Sequence, residues 1–149
     1  MHEAWNNWGL ALHAQAQRKE GLEAEELFKQ ASEKYAEAVR IKPGDAEKLD
    51  NWGSTLVVWS RVVSDTMKEN LLIKAKDVLL QAEQIEKGSG SYNLACVYSL
   101  LGHDAECLKW LETSKEAGRL PKREHLDNDK DMDSVREKQW FKDFLATVE

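Results

Sequence analysis

The tripeptide Asn-Trp-Gly occurs twice in this chain, and the spacing of its two copies restricts the fold more than any other sequence feature. The copies span residues 7–9 and 51–53, so their glycines stand 44 residues apart. Glycine inside a helix costs roughly 1 kcal/mol relative to alanine, whereas the adjacent tryptophan is a large apolar group that favours burial. The repeated pair indicates one structural unit used twice, which predicts a repeat architecture.

Apolar residues around each motif recur at positions i, i+3, i+4 and i+7, which lie on one face of a helix. The three sets are Trp5, Trp8, Gly9 and Leu12; Leu49, Trp52, Gly53 and Leu56; and Ser91, Leu94, Ala95 and Tyr98. Each set is followed by a second helical series, namely Phe28, Ala31, Tyr35 and Ala38; Leu72, Ala75, Leu79 and Ala82; and Cys107, Leu111 and Ser114. Strand-like alternation is absent, so the sequence predicts antiparallel helix pairs stacked side by side.

This pattern resembles the tetratricopeptide repeat (TPR) family, whose signature is Trp-x2-Leu-Gly-x2-Tyr, then Ala-x3-Phe, then Pro. The first unit supplies Trp5, Trp8, Gly9, Leu12, Ala31, Tyr35 and Pro43. The second supplies Leu49, Trp52, Gly53, Leu56, Ala75 and Leu79 without the proline, and the third supplies Leu94, Ala95, Tyr98, Cys107 and Leu111. Units that open with Asn-Trp-Gly are also similar to those of many bacterial TPR proteins.

The resemblance covers residues 3–118 and implies an all-α fold, an α-solenoid of three TPR-like hairpins in a single domain. The expected parts are repeat one at 3–44, repeat two at 47–88, repeat three at 90–118 and a C-terminal cap at 119–149. Such a cap is required because the last unit of a solenoid otherwise exposes its apolar side.

The first two units are longer than the third. The gap between the glycine position and the second helical series is 22 residues in units one and two but 12 in unit three. Ten residues shared between two helices add about 1.4 turns to each, so the first two hairpins should project ~7 Å beyond the third. Gly21 and residues 64–66 are the predicted turns. A similar lengthening occurs in the plant mitochondrial import receptor, so an import-receptor-like domain that recognises targeting peptides is an alternative.

An acidic run at Asp127, Asp129, Asp131 and Asp133 invites comparison with a calcium-binding EF-hand loop. That loop requires glycine at its sixth position and glutamate at its twelfth. Counting from Asp127 or from Asp129, neither position holds the required residue, and we predict no calcium site. The run is similar to the ends of bacterial TPR arrays. Ser134 and Glu137 match a capping box, which predicts a terminal helix starting near Ser134.

Net charge and cysteine content exclude several classes of function. A net charge of −6 disfavours nucleic acid and anionic membrane surfaces as partners, since phosphate binding requires clustered basic residues. The apolar run at 55–59 is far too short to cross a bilayer, so we expect no direct membrane insertion. Cys96 and Cys107 are too few for a disulfide framework. Free thiols fit a reducing compartment and favour a cytoplasmic or cytosol-facing protein.

The sequence offers no catalytic or metal-binding constellation. None of the four histidines forms the helical His pair with glutamate that binds zinc, and residues 88–93 lack the lysine of a phosphate-binding loop. We therefore predict a protein that is not an enzyme and has no cofactor. The repeat register places Trp5, Trp8, Trp52 and Trp110 in the core and Trp140 in the cap, and it leaves Trp59 exposed.

In a TPR stack the first helix of each pair lines a concave groove, and the resemblance assigns candidate binding residues there. Asn7, Asn51 and Asn93 stand two residues before the glycine position of each unit and would form a ladder of amides. An amide both donates and accepts hydrogen bonds, so the ladder can hold the backbone of an extended peptide, as the family does with this asparagine. In the other interpretation, these side chains contact neighbouring units or water.

The other expected groove residues are Leu10, Ser54 and Cys96, then Ala14, Val58 and Leu100, with Asp50 and Tyr92 flanking the ladder. A clamp for acidic tails is disfavoured, because the positions that would carry lysine and arginine hold Glu3, Asn6, Leu10, Ser89 and Asn93. The expected function is an adaptor whose partner is a neutral to basic protein segment with apolar anchors. The alternative is self-assembly through open repeat ends and projecting hairpins, with Trp59, Val62 or Val63 as contacts.

Overall fold

The computed structural model describes residues 1–148, and within them every regular element is helical, which confirms the predicted all-α class. Six helices come first: α1 (His2–Gln17), α2 (Gly21–Ile41), α3 (Ala46–Ser60), α4 (Asp65–Ile85), α5 (Ser91–Leu101) and α6 (Asp104–Glu116). The C-terminal part holds α7 (Arg123–Asn128), a 3-10 turn at Lys130–Met132 and α8 (Gln139–Ala146). None of these helices is both long and apolar enough to cross a membrane.

Helices that are consecutive in sequence pack against each other as pairs. The pairs are α1 with α2, α3 with α4, and α5 with α6. The second helix of each pair also contacts the first helix of the next, so α2 packs on α3 and α4 on α5. Contacts of α3 with both α1 and α5 place these three first helices side by side along one face.

The glycine of each Asn-Trp-Gly motif marks the point where the second helix of a pair crosses the first. A Cβ atom on Gly9 would stand 2.9 Å from the ring of Tyr35, and one on Gly53 would stand 2.4 Å from Leu79. Tyr35 and Leu79 are both fully buried. Any side chain at either glycine would therefore displace a core residue, which explains why a poor helix former occurs twice at the same repeat position.

The first two hairpins are longer than the third, as the spacing predicts. Helices α1 and α3 have 16 and 15 residues, whereas α5 has 11. Helices α2 and α4 have 21 residues each, whereas α6 has 13. At 1.5 Å per residue the first helices gain ~6–8 Å. The turns of these hairpins lie at 18–20 and 61–64, slightly before the predicted positions at Gly21 and 64–66, because Gly21 (φ +59°) begins α2 and Asp65 begins α4.

Three tryptophans depart from the predicted register. Trp5 is half-buried and belongs to neither core cluster. Trp8 is 50% exposed rather than buried, because no helix of the described chain packs over that side of α1. Trp59 is only 8% exposed and belongs to the main core, because the lengthened second helices extend far enough to enclose it. Trp59 is therefore not a surface contact for self-assembly. Trp52 is half-buried and donates from its indole Nε1 to Ser32 Oγ of α2 at 2.8 Å.

The C-terminal segment covers the end of the helical stack. Leu126, Met132, Val135 and Phe141 are fully buried, and α8 packs on α6. The predicted capping box is wrong, because α8 begins at Gln139 and residues 133–138 form turns. The hydroxyl of Ser134 instead donates to the carbonyl oxygen of Ser99 at 3.2 Å, which ties this turn to α5.

Candidate functional site

A cavity of about 590 Å³ lies between the first helices of the three hairpins and the segment 121–131. The helices contribute His13, Gln17, Ser54, Val57, Val58, Arg61, Tyr92, Asn93 and Cys96. The segment contributes Pro121, His125, Asn128, Asp129, Lys130 and Asp131. The cavity therefore occupies the face on which the sequence predicts a groove, with one wall formed by the protein's own C-terminal segment.

The predicted groove residues do not all meet in this cavity. Those that line it are Ser54, Val58, Tyr92, Asn93 and Cys96. Asn7, Leu10 and Ala14 are exposed on α1 away from the cavity wall, and Asp50 and Asn51 are half-buried beside it. Leu100 lines a different cavity between α4 and α5, because α5 ends at Leu101 and the longer α4 extends past it.

Asn51 and Asn93 connect neighbouring units. Asn51 Nδ2 donates to Asn6 Oδ1 at 3.3 Å, and Asn93 Nδ2 donates to Asp50 Oδ1 at 2.8 Å. Asn6 and Asp50 hold the same repeat position, so the two bonds are equivalent. The side chains of Asn51 and Asn93 therefore contact the preceding unit, as in the second of the two interpretations of the asparagine ladder. Within residues 1–148 the Oδ1 atoms of Asn51 and Asn93 accept no hydrogen bond.

Tyr92 extends this series of contacts to the C-terminal segment. It follows Asn6 and Asp50 in the repeat register, and its hydroxyl donates to Asp129 Oδ2 at 2.6 Å. Burial raises the pKa of the Tyr92 phenol, and the neighbouring Cys96 and the Asp129 carboxylate act in the same direction, so Tyr92 stays protonated and remains a donor. Asn6 and Asp50 each accept a hydrogen bond from the next unit, whereas Tyr92, at the same repeat position, donates one to the C-terminal segment.

Asp50 is the titratable member of the series. Burial raises the pKa of its carboxyl to about 6, and the hydrogen bond from Asn93 and the charge of Arg119 offset only part of this effect. An isolated aspartate has a pKa near 4. The link between units two and three therefore changes its protonation state in mildly acidic solution, whereas the link between units one and two joins two neutral amides.

An ion pair fixes the segment wall of the cavity. Arg61, which directly follows the last residue of α3, donates from Nε to Asp131 Oδ1 at 2.7 Å and from Nη2 to Asp131 Oδ2. Two parallel hydrogen bonds of this kind fix orientation as well as charge. The Asp131 side chain is 4% exposed, and Asp129 accepts bonds from Tyr92 and from the backbone NH of Asp131. The acidic run therefore docks the segment onto α3 and α5.

Arg61 could not be predicted as a site residue from the sequence, for an identifiable reason. The equivalent positions in the other two units hold Gln17 and His103, so the repeat pattern gives no signal at this position. The only available signal is that a buried Asp-x-Asp pair requires a cation or several NH donors. Which basic side chain pairs with the two aspartates depends on where residues 121–131 pack in the folded protein, and the neighbouring residues do not determine this.

Two groups of side chains approach metal-binding geometry, and both are already satisfied. Oxygen atoms of Asp129 and Asp131 lie within 4.8 Å of Cys96 Sγ, but Arg61 pairs with these carboxylates. Burial raises the pKa of the Cys96 thiol, which disfavours the thiolate that a metal requires. In the second group, which is His2, Glu3 and Asp45, the ammonium of Lys48 lies 2.5 Å from Glu3 and 2.8 Å from Asp45.

Most side chains that line the cavity are polar, and Ser54 and Asn93 provide hydrogen-bonding groups. Val58 and Pro121, which are both half-buried, provide apolar surface. Burial lowers the pKa of His13, and the charge of Arg61 acts in the same direction, so the ring is neutral at pH 7. No protein-family model matches this chain, and no curated protein matches it.

Proposed function

We propose that this protein is a non-enzymatic adaptor of the TPR type that holds a segment of a partner protein in the cavity formed by α1, α3, α5 and residues 121–131. The observation that carries this proposal is the convergence of all three first helices on one open cavity of about 590 Å³. The TPR-like residue pattern over 3–118 and the pairwise packing of six helices support a solenoid of hairpins.

The chemistry of the lining defines the partner. Val58 and Pro121 accept an apolar anchor, and the free Oδ1 of Asn93 accepts a hydrogen bond from a backbone NH. Arg61 is already paired with Asp131, so it attracts a carboxylate only weakly. The partner segment is therefore neutral to basic, with apolar side chains spaced along an extended backbone.

The C-terminal segment limits how the partner lies. Residues 121–131 already cover one side of the groove, and the ion pair between Arg61 and Asp131 holds them there. A partner segment therefore binds beside this wall rather than in its place. An extended chain fits this arrangement, because it offers NH groups and side chains to α3 and α5 at the same time.

A selection from a displayed peptide library tests the proposal. The immobilised full chain is compared with Ser54→Arg, which adds a long cation to a residue that lines the cavity, and with Ile73→Arg, a matched change at an exposed α4 residue. We expect neutral to basic peptides with apolar anchors to bind the wild type and Ile73→Arg alike. Binding to Ser54→Arg should be weaker by at least about tenfold, with unchanged helicity by circular dichroism.

Two results would reject the groove as the binding site. One is a selection that enriches no peptide above an empty support. The other is a set of enriched peptides that bind Ser54→Arg as tightly as the wild type while Ser54→Arg remains folded.

A further inference from the structure

One face of α1 is open, although the equivalent face of α3 and of α5 is covered. The open α1 face consists of Ala4, Trp8, Ala11 and Gln15, which are all exposed. The equivalent α3 residues are Lys48, Trp52, Thr55 and Trp59. Trp52 is half-buried and the other three are buried. The equivalent residues of unit three are Gly90, Leu94, Val97 and Leu101, of which only Leu101 is half-buried. The residues at these positions in units two and three are therefore part of contacts with other helices of the protein.

The contacts of α3 and α5 show what covers such a face. Helix α3 packs on α2 of the preceding hairpin and α5 packs on α4, and Thr55 also contacts His13 of α1. Trp52, the equivalent of Trp8, packs beside Ala31 and Tyr35 of α2. The open α1 face has the position of these interfaces, but no helix within residues 1–148 packs over it.

The opposite end of the stack is closed. Helix α8 packs on α6 there, with Phe141 fully buried and Phe144 6% exposed. A second copy therefore cannot add to that end in the way that hairpins add to each other within the chain. A contact between copies through the open α1 face must use the same face twice, which requires a two-fold axis.

The open α1 face is complementary to itself when two copies of α1 run antiparallel. If Trp8 of one copy lies opposite Ala11 of the second copy, the two-fold axis repeats this contact, and Ala4 falls opposite Gln15. The large indole thus meets a small residue twice, and no α1 residue of the face is charged, although the ammonium of Lys34 in α2 lies over the Trp8 ring. Trp8 is already ordered, because it stacks on Trp5 at 5.5 Å and Lys34 Nζ lies 4.0 Å from its ring centroid.

We propose that this protein forms a two-fold dimer in which the open α1 faces of two copies pack antiparallel, with Trp8 against Ala11. A helix of 16 residues is about 24 Å long, so the interface is smaller than the roughly 800 Å² per partner of a standard complex. The dimer is therefore concentration-dependent. His13 and Gln17, the α1 residues that line the groove, lie outside this face, so dimer formation leaves the groove accessible.

Sedimentation equilibrium of the full chain, from micromolar to near-millimolar concentration, tests the proposal. The average mass of the wild type should rise from 17.0 kDa towards twice that value. Ala11→Glu, which brings a carboxylate against the second copy's indole, should raise the dissociation constant at least about 30-fold. Ile85→Glu is the matched control, since it introduces the same charge at an exposed α4 residue and should dimerise like the wild type.

A charge pair tests the antiparallel register. Ala4→Lys with Gln15→Lys places like charges opposite each other in the dimer and should abolish association. Ala4→Glu with Gln15→Lys places opposite charges there and should restore it. A wild type that stays monomeric to near-millimolar concentration would overturn the proposal, as would a dimer that Ala11→Glu does not weaken. Equal association of the two double variants would overturn the register.

Discussion

The two ends of the helical stack are built differently, although both are outer surfaces of helix hairpins. At the C-terminal end, residues after 119 cover α5 and α6 and bury Leu126, Met132 and Phe141 completely. At the N-terminal end, Trp8 is 50% exposed. Trp8 and Trp52 occupy the same repeat position, yet Trp52 packs on the helix of a preceding hairpin, whereas no such helix within residues 1–148 packs over Trp8. Position in the stack therefore decides burial here, rather than residue type.

Removing the closed end should have the largest effect on stability. Phe141→Ala deletes a fully buried ring from the contact between α8 and the rest of the fold. Such truncations cost ~3–5 kcal/mol, so we expect the midpoint of urea unfolding to fall by the corresponding amount, measured by circular dichroism. A loss below about 1 kcal/mol would show that the cap contributes little to the stability of the stack.

The links between units should differ in their response to pH. The folded pKa of Asp50 is about 6, above its unfolded value, so its contribution to stability is full below about pH 4 and is lost as pH rises through about 6. Between these limits the free energy of unfolding of the wild type should fall by about 2 kcal/mol relative to Asp50→Asn.

The link between units one and two provides the control for this measurement. Asn6 and Asn51 do not titrate, so Asn51→Ala should change stability by the same amount at every pH. Parallel profiles for the wild type and Asp50→Asn, determined by urea unfolding across this pH range, would show that Asp50 is not the titrating group.

Changes at the open end should have the smallest effect. Trp8→Ala should cost less than about 1 kcal/mol in dilute solution, because the ring keeps half of its surface in water and loses mainly its contacts with Trp5 and Lys34. Trp52→Ala at the equivalent position should cost about 2 kcal/mol, since this ring packs on α2 and donates to Ser32. Equal losses of unfolding free energy for the two variants would remove the distinction between open and covered faces.

Much of the helical framework could be predicted because it depends on local pattern. The repeat of Asn-Trp-Gly locates the points at which α2 crosses α1 and α4 crosses α3, since only glycine fits against Tyr35 and Leu79. The difference in spacing likewise predicts that α5 is shorter than α1 and α3. These features follow from helical periodicity and side-chain size, which neighbouring residues determine.

The errors and omissions share a different cause. Trp59 is buried by helices distant in sequence, and Ser134 bonds to α5 instead of capping α8. Arg61 has no counterpart in the other units, so its pairing with Asp131 leaves no periodic trace. In each case the contact joins helices or turns that are distant in sequence. The pattern of neighbouring residues does not show which of these distant surfaces will pack together.

Local sequence pattern is enough to specify the helical units, their unequal lengths and the glycine crossings, because each depends on the period of the α-helix and on the volume of single residues. Long-range packing alone establishes that Asn51 and Asn93 bond to the preceding unit, that residues 121–131 form a wall of the groove and that no helix within residues 1–148 packs over the α1 face. These features depend on hydrogen bonds and burial between residues 30 or more positions apart, and the free energy of such contacts exists only once the chain has folded.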